Sequence, residues 1–178
     1  YGDWVNGGSD RPPLSVVLVP QFLVPLLGGH PRVLFVIIDC LRLDQWRSIL
    51  PLLANYAEVE EALYYSILPS ATPYSRNAIF SGWFPDQIAE LYPSWWDREG
   101  EGGLNTFEDQ LFASQLHRLA GQDLPIHYEK VSSANDGEQM LHRHPAYLAQ
   151  PGVTAVVFNF VDMLTHGRSE SAILLEVA

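Results

Sequence analysis

Two runs of mostly apolar, often β-branched residues constrain the fold of this chain more than any other feature. They cover residues 33–38 and 154–161. Runs of this kind are typical of strands that are buried on both faces of a parallel sheet. We therefore predict that residues 33–38 form a central strand of such a sheet. An aspartate follows each run directly, Asp39 after the first and Asp162 after the second.

The stretches between these runs predict further strands and helices. We predict a second strand over residues 59–67, another strand over 126–131 and a helix over 136–141. The apolar spacing after Asp39 predicts a helix that Pro51 should bend or end. A short helix over 75–80 should close at Gly82. Asn105 and Glu108 resemble a capping box for a helix that runs to about residue 119.

Strands that alternate with helices predict an α/β fold, a doubly wound and mostly parallel sheet with helices on both faces. A length of 178 residues suits one domain of this class. We predict that residues 1–30 are a linker or the edge of a preceding helical region. Residues 31–178 should form the α/β domain.

Composition excludes several classes of protein. With 47% hydrophobic and 17% charged residues, the chain is not disordered throughout. Its net charge of -11 disfavours binding of a nucleic-acid backbone by a basic face. The apolar stretch 14–27 is too short to span a membrane, and residues 1–8 lack the features of a signal peptide. The single cysteine, Cys40, suits a reducing compartment, so we expect a cytoplasmic protein without membrane contact.

The aspartates that end the two strong strands are candidate ligands. The carboxyl ends of parallel strands meet at one edge of the sheet, where open α/β folds place their ligands. Asp162 and His166 are four residues apart, so they can meet on one face of a helical turn and share a metal. The alternative for each aspartate is a turn or helix cap. Asp44, inside the first predicted helix, is expected to be structural and to bond a nearby loop.

Thr72 lies at a predicted strand-to-helix junction, where a hydroxyl becomes a nucleophile if a metal or base removes its proton. The alternative is a helix N-cap. Arg76 and Asn77 follow within about one helical turn and are candidate ligands for phosphate oxygens. The alternative for Arg76 is an ordinary surface side chain.

Three blocks, residues 36–46, 67–82 and 159–166, resemble the PglZ domain, a branch of the alkaline phosphatase superfamily. The closest resemblance is to the effector domain of PorX-type response regulators. It runs in one order from about residue 33 to the end, so it identifies residues 31–178 with the N-terminal part of such a domain.

The resemblance implies that Thr72 is a nucleophile between two zinc ions. Carried over by position, Asp39 and Thr72 would bind one ion, and Asp162 and His166 the other. A phosphothreonine at Thr72 would form and then be hydrolysed. The implied substrate is a phosphoester, with oligonucleotides and cyclic nucleotides among the candidates. A homodimer and a signalling partner protein are also implied.

The sequence departs from the family pattern after His166. The family places an Asp-His pair near a later strand and a further His beyond it, and neither precedes Ala178. The upstream receiver domain is also not seen. The resemblance thus predicts a fragment that binds zinc weakly and turns over slowly or not at all. The alternative function is a non-catalytic docking module in two-component signalling. Because zinc would reverse the negative field, we expect phosphoester binding to depend on metal.

Overall fold

The computed structural model describes residues 1–8, 10–96, 103–120, 124–159 and 161. For residues 143–148 it describes the backbone alone. The described residues form two compact units, unit 1 (residues 1–31 and 62–124) and unit 2 (residues 32–61 and 125–178). Their α-helices and strands are α1 (Gly2–Val5), α2 (Val24–Leu27), β1 (Arg32–Ile38), α3 (Leu43–Leu53), α4 (Thr72–Ser81), α5 (Pro85–Leu91), α6 (Glu108–Ala120), β2 (Ile126–Val131), α7 (Ala134–Leu148) and β3 (Gly152–Phe158). Shorter helical turns cover Ser15–Val17, Val19–Leu23 and Pro93–Trp95.

Unit 2 is built on a parallel sheet. Its three described strands have the order β1-β3-β2, and both neighbours of β3 run parallel to it. The interior of β3 is an unbroken series of buried residues from Val153 to Val157. A parallel sheet accompanied by helices confirms the predicted α/β class.

The structure corrects two details of the predicted strands. β1 lies at one edge of the described sheet instead of its centre, and Leu34 and Val36 are 52% and 42% exposed. An apolar run identifies a strand but does not give its place in the sheet, which depends on its neighbours. β3 ends at Phe158 and not at Val161, because its register with Ile38 and Val131 ends there.

Unit 1 is mainly helical, and α4 packs against α6 at its core. The rings of Phe80 and Phe112 meet edge to face with their centroids 5.3 Å apart. A second cluster joins Leu14 and Ile67 to Ala78 of α4. α4 therefore contributes side chains to both apolar groups of this unit.

The predicted strand over residues 59–67 is wrong. Only Tyr65 forms a bridge, with Leu14, and the rest of the segment makes no ladder in the described structure. The Ile67 N–H donates to Ser15 Oγ at 3.1 Å, and the Leu68 N–H donates to the Tyr1 hydroxyl at 2.7 Å. Side chains thus accept the hydrogen bonds that a neighbouring strand would otherwise accept.

The other predicted elements are confirmed, with shifted ends. α4 contains the predicted 75–80 helix and closes at Gly82, whose φ is 71°. α6 and β2 match their predicted spans, while α7 is longer than predicted. α3 includes Pro51 and ends two residues later. Within the described ranges, no helix combines the length and apolar character needed to cross a bilayer.

Candidate functional site

Asp39 lies in the turn that follows β1, at the predicted carboxyl edge of the sheet. It is half-buried, and its N–H donates to the Phe158 carbonyl at 3.0 Å. The Asn159 N–H donates to the Val131 carbonyl at 2.9 Å across the same edge. These bonds connect the ends of all three described strands, so they hold the backbone at Asp39 in place.

The residue after Asp39 has an unusual backbone conformation. Cys40 has a φ of 58°, in the left-handed region that residues with a side chain rarely occupy. Such a conformation costs about 1–2 kcal/mol and persists where the surrounding structure enforces it. The turn therefore redirects the chain immediately after Asp39.

Asp162 and His166, the other two predicted ligands at this edge, lie outside the described residues. The structure describes the chain leading to them as far as Asn159, together with the helical backbone of Val161. Their proposed role stays a prediction.

Thr72 is the first residue of α4, and its hydroxyl does not cap the helix. The N-cap is Ala71, which makes no side-chain cap bond. Within the described part of unit 1, no hydrogen bond involves the Thr72 hydroxyl, whereas the nearby Ser75 hydroxyl donates to the Ser70 and Ala71 carbonyls. The N-cap alternative is thus wrong for Thr72. Its half-buried hydroxyl has the freedom that a nucleophile requires.

Arg76 is a buried residue, which excludes the alternative of a surface side chain. It is 5% exposed, and its Nε donates to the carboxylate of Glu108, whose side chain is 1% exposed. A guanidinium in this position is committed to an ion pair inside unit 1. The predicted contact of Arg76 with phosphate stays a prediction.

Asn77 is also in the core of unit 1, with no exposed surface. Its Nδ2 donates to the Pro73 carbonyl at 2.9 Å and to the Leu104 carbonyl at 2.7 Å. Its Oδ1 has no hydrogen-bond partner among the described residues. Asn77 therefore connects α4 to residue 104, and its predicted contact with phosphate likewise stays a prediction.

Comparison with protein families identifies the chain. The model of the BREX system PglZ alkaline phosphatase-like domain matches residues 20–178. The chain belongs to the PglZ family. No curated protein matches the chain. The match begins before residue 31, the domain boundary predicted from the sequence, and that boundary stays a prediction.

Alkaline phosphatase-like domains are typically metal-dependent. Carboxylate oxygen and imidazole nitrogen are regular zinc ligands. Asp39 supplies a half-buried carboxylate on a fixed turn. The described ranges contain no group of three or more His, Cys, Asp or Glu residues placed to hold a metal. Among the described residues, Asp39 thus offers donor chemistry that zinc accepts.

Sequence reasoning missed Asn105 and Glu108 as neighbours of the Thr72 turn. Asn105 Nδ2 lies 3.5 Å from the Thr72 carbonyl oxygen and 2.6 Å from Glu108 Oε1. Their spacing suggests a local helix cap, and the partners of Glu108 and Asn105 in α4 are more than 30 residues away in sequence. No signal in a single sequence indicates such a distant pairing.

Asp44 makes a structural contact that is more local than predicted. Its carboxylate accepts from Arg42 Nε at 2.9 Å, two residues away at the N-cap of α3. Hydrogen bonds from the Arg42 guanidinium lower the pKa of the Asp44 carboxyl to about 2. Both side chains are exposed, so this pair stays outside the proposed chemistry.

Proposed function

We propose that this PglZ domain is a metal-dependent phosphoester hydrolase with Thr72 as its nucleophile. The observation that carries the proposal is the Thr72 hydroxyl, which neither caps α4 nor forms another hydrogen bond in the described part of unit 1. A threonine at the N-cap itself usually bonds to the backbone, but Thr72 lies one residue past the N-cap, so its hydroxyl is available for another role. Membership of an alkaline phosphatase-like family makes phosphoryl transfer the best-supported role.

The reaction has two displacements at phosphorus. Thr72 Oγ1 attacks the phosphoryl group and loses its proton, the ester P–O bond breaks, and the leaving alcohol takes up a proton. Water then attacks the phosphothreonine, which releases phosphate and restores the hydroxyl. Zinc, when bound, supplies Lewis-acid stabilisation of the charge on the phosphoryl oxygens. Covalent catalysis of this kind replaces one difficult step by two easier ones.

The family resemblance assigns the zinc ligands of this proposal. Asp39 and Thr72 would hold one ion, and Asp162 and His166 the other. The backbone hydrogen bond from Asp39 to the end of β3 supports the assignment of Asp39 as a ligand. Because this bond holds the backbone in place, metal binding would cost little further backbone conformational entropy.

The substrate class follows from charge as well as family. The chain has a net charge of -11, which repels phosphoesters until cations bind. The proposed substrates are phosphate mono- or diesters, including oligonucleotides and cyclic nucleotides, and their binding should require zinc. We also propose that the protein is cytoplasmic and that the domain is the output domain of a response regulator. Its partner would be a second copy of the chain or another signalling protein.

Hydrolysis of p-nitrophenyl phosphate and bis(p-nitrophenyl) phosphate tests the proposal. We expect zinc-dependent release of nitrophenol by the 178-residue chain and its loss after chelation by EDTA. Thr72→Ala should lower kcat by about 1,000-fold or more, as removal of a nucleophile does. Thr72→Ser should keep part of the activity because it retains a hydroxyl.

Ser75→Ala is the matched control. It removes a hydroxyl from the same helical turn, one that donates to the Ser70 and Ala71 backbone carbonyls. We expect its kcat to stay within a few-fold of the original. Zinc-dependent hydrolysis that survives in Thr72→Ala would contradict Thr72 as the nucleophile, and no hydrolysis under any metal condition would contradict the hydrolase assignment.

A further inference from the structure

The segment of residues 104–108 contacts three different residues in the first two turns of α4. The Leu104 carbonyl accepts from Asn77, and Asn105 Nδ2 reaches the Thr72 carbonyl. The Glu108 carboxylate binds the Arg76 guanidinium. Residues 104–108 therefore contact α4 at the end that carries Thr72, the proposed nucleophile.

The contacts within the 104–108 segment reinforce one another. Asn105 Nδ2 donates to Glu108 Oε1 at 2.6 Å, so the amide near Thr72 and the carboxylate on Arg76 are joined. Both members of the ion pair are buried, with side chains 6% and 1% exposed. A buried ion pair contributes little net stability compared with apolar side chains, and its best-attested role is to select one arrangement.

The start of α4 needs such an external support. Ala71 provides no side-chain cap, and Pro73, at the second position of the helix, has no N–H. Thr72 and Arg76 are four residues apart and so lie on the same face of the helix. Holding the Arg76 side chain and the Thr72 carbonyl therefore fixes both the rotation and the end of the helix at Thr72.

We propose that Asn105 and Glu108 are positioning residues for Thr72, acting through its carbonyl and through Arg76. The inference rests on the proposed function of Thr72 as a nucleophile. It gives Arg76 a supporting role in place of the predicted contact with phosphate. A displaced nucleophile loses rate steeply, because the reacting atoms must be about 3–3.5 Å apart and aligned.

The decisive variant exchanges the ion pair for apolar side chains, Arg76→Met with Glu108→Leu. Such exchanges commonly keep a protein folded. We expect a melting temperature close to that of the original chain, a kcat lower by about 10- to 100-fold, and an unchanged KM for p-nitrophenyl phosphate. Asn105→Ala tests the Thr72 carbonyl contact while the ion pair remains, and it keeps the test valid if the double variant does not fold.

Two controls separate positioning from stability. Leu116→Ala creates a cavity in α6 at a fully buried site, and it should lower the melting temperature while kcat stays the same below that temperature. Asp109→Asn removes an exposed carboxylate beside Glu108 and should change neither quantity. If the double variant and Asn105→Ala keep the original kcat, or lose no more than Leu116→Ala does, the positioning role is contradicted.

Amide hydrogen exchange gives a readout that does not need catalysis. The Tyr74 and Ser75 amides donate to the Ala71 carbonyl in the first turn of α4. We expect their exchange to accelerate in Asn105→Ala and in the double variant, and to stay slow in Leu116→Ala. Unchanged exchange would overturn the positioning role, whereas absent hydrolysis by the original chain would overturn the proposed function instead.

Discussion

Helix α3 follows the predicted site residue Asp39, and helix α4 begins at the predicted site residue Thr72. Both helices carry arginine–carboxylate pairs, but these pairs differ in burial. In α3, the side chains of the Arg47–Glu61 pair are 54% and 42% exposed. In α4, the corresponding fractions for Arg76 and Glu108 are 6% and 1%. Solvent screens the charges of the Arg47–Glu61 pair. The Arg76 and Glu108 charges are shielded from solvent, so each requires the other for compensation. Arginine and glutamate therefore form a solvent-screened surface pair on α3 and a buried, mutually dependent pair on α4.

The ends of the two helices show the same contrast. α4 closes at Gly82 in the left-handed conformation, directly against the side chain of Gln115 from α6. α3 ends at Ala54 in an ordinary right-handed conformation. Packing thus constrains α4 at both ends, whereas α3 closes without a left-handed residue.

The largest effect should follow from breaking the buried ion pair. Arg76→Met leaves the Glu108 carboxylate buried without its guanidinium, which should lower the free energy of unfolding by about 3–5 kcal/mol. Urea unfolding measures this, and Arg47→Met in the exposed pair is the matched control. If the two substitutions destabilise the chain equally, burial does not distinguish the pairs.

A smaller effect should follow at the helix ends. Gly82→Ala forces a side chain into the left-handed region, at a cost of about 1–2 kcal/mol, and the added Cβ collides with Gln115. Ala54→Gly, at the equivalent position of α3, should cost less than about 1 kcal/mol. Thermal unfolding of both variants checks the difference. A loss for Ala54→Gly that equals the loss for Gly82→Ala would remove the contrast.

The smallest effect concerns the other exposed pair of α3 and depends on pH. Because hydrogen bonds from Arg42 lower the pKa of Asp44 from 3.8 to about 2, the pair stabilises the folded chain above pH 3.8. This contribution is lost as the pH falls towards 2. NMR titration of the Asp44 carboxyl should show the low pKa, and Arg42→Gln should return it towards 3.8. An unchanged pKa in that variant would contradict the assigned cause.

The sequence predicted the strongest elements of the fold because their signals are local. The β3 run is apolar except for Thr154, and Gly82 marks the end of α4 with a residue that suits a left-handed conformation. The apolar run of β1 predicted a strand correctly but did not indicate its edge position in the described sheet, since edge and centre differ only in what pairs beside them. The strand predicted at 59–67 is wrong because side chains distant in sequence take its hydrogen bonds: Ser15 bonds to the Ile67 N–H, and Tyr1 bonds to the Leu68 N–H just beyond it.

The candidate site was predictable in part for the same reason. Thr72 and Asp39 were found from their places beside local signals and from the family motifs. The burial of Arg76 was not predictable, because it depends on Glu108, 32 residues later, and on the packing of α4 against α6. Nothing in the residues around Arg76 separates an arginine that faces solvent from one that is buried.

Detection of covalent phosphate on Thr72 tests the central claim most directly. The 178-residue chain would be incubated with zinc and p-nitrophenyl phosphate, quenched in acid, digested and sequenced by tandem mass spectrometry. We predict phosphate on Thr72, its absence from Ser70 and Ser75 of the same peptide, and no modification without zinc. Phosphate on either serine instead, or nitrophenol release by Thr72→Ala at the original rate, would contradict the account.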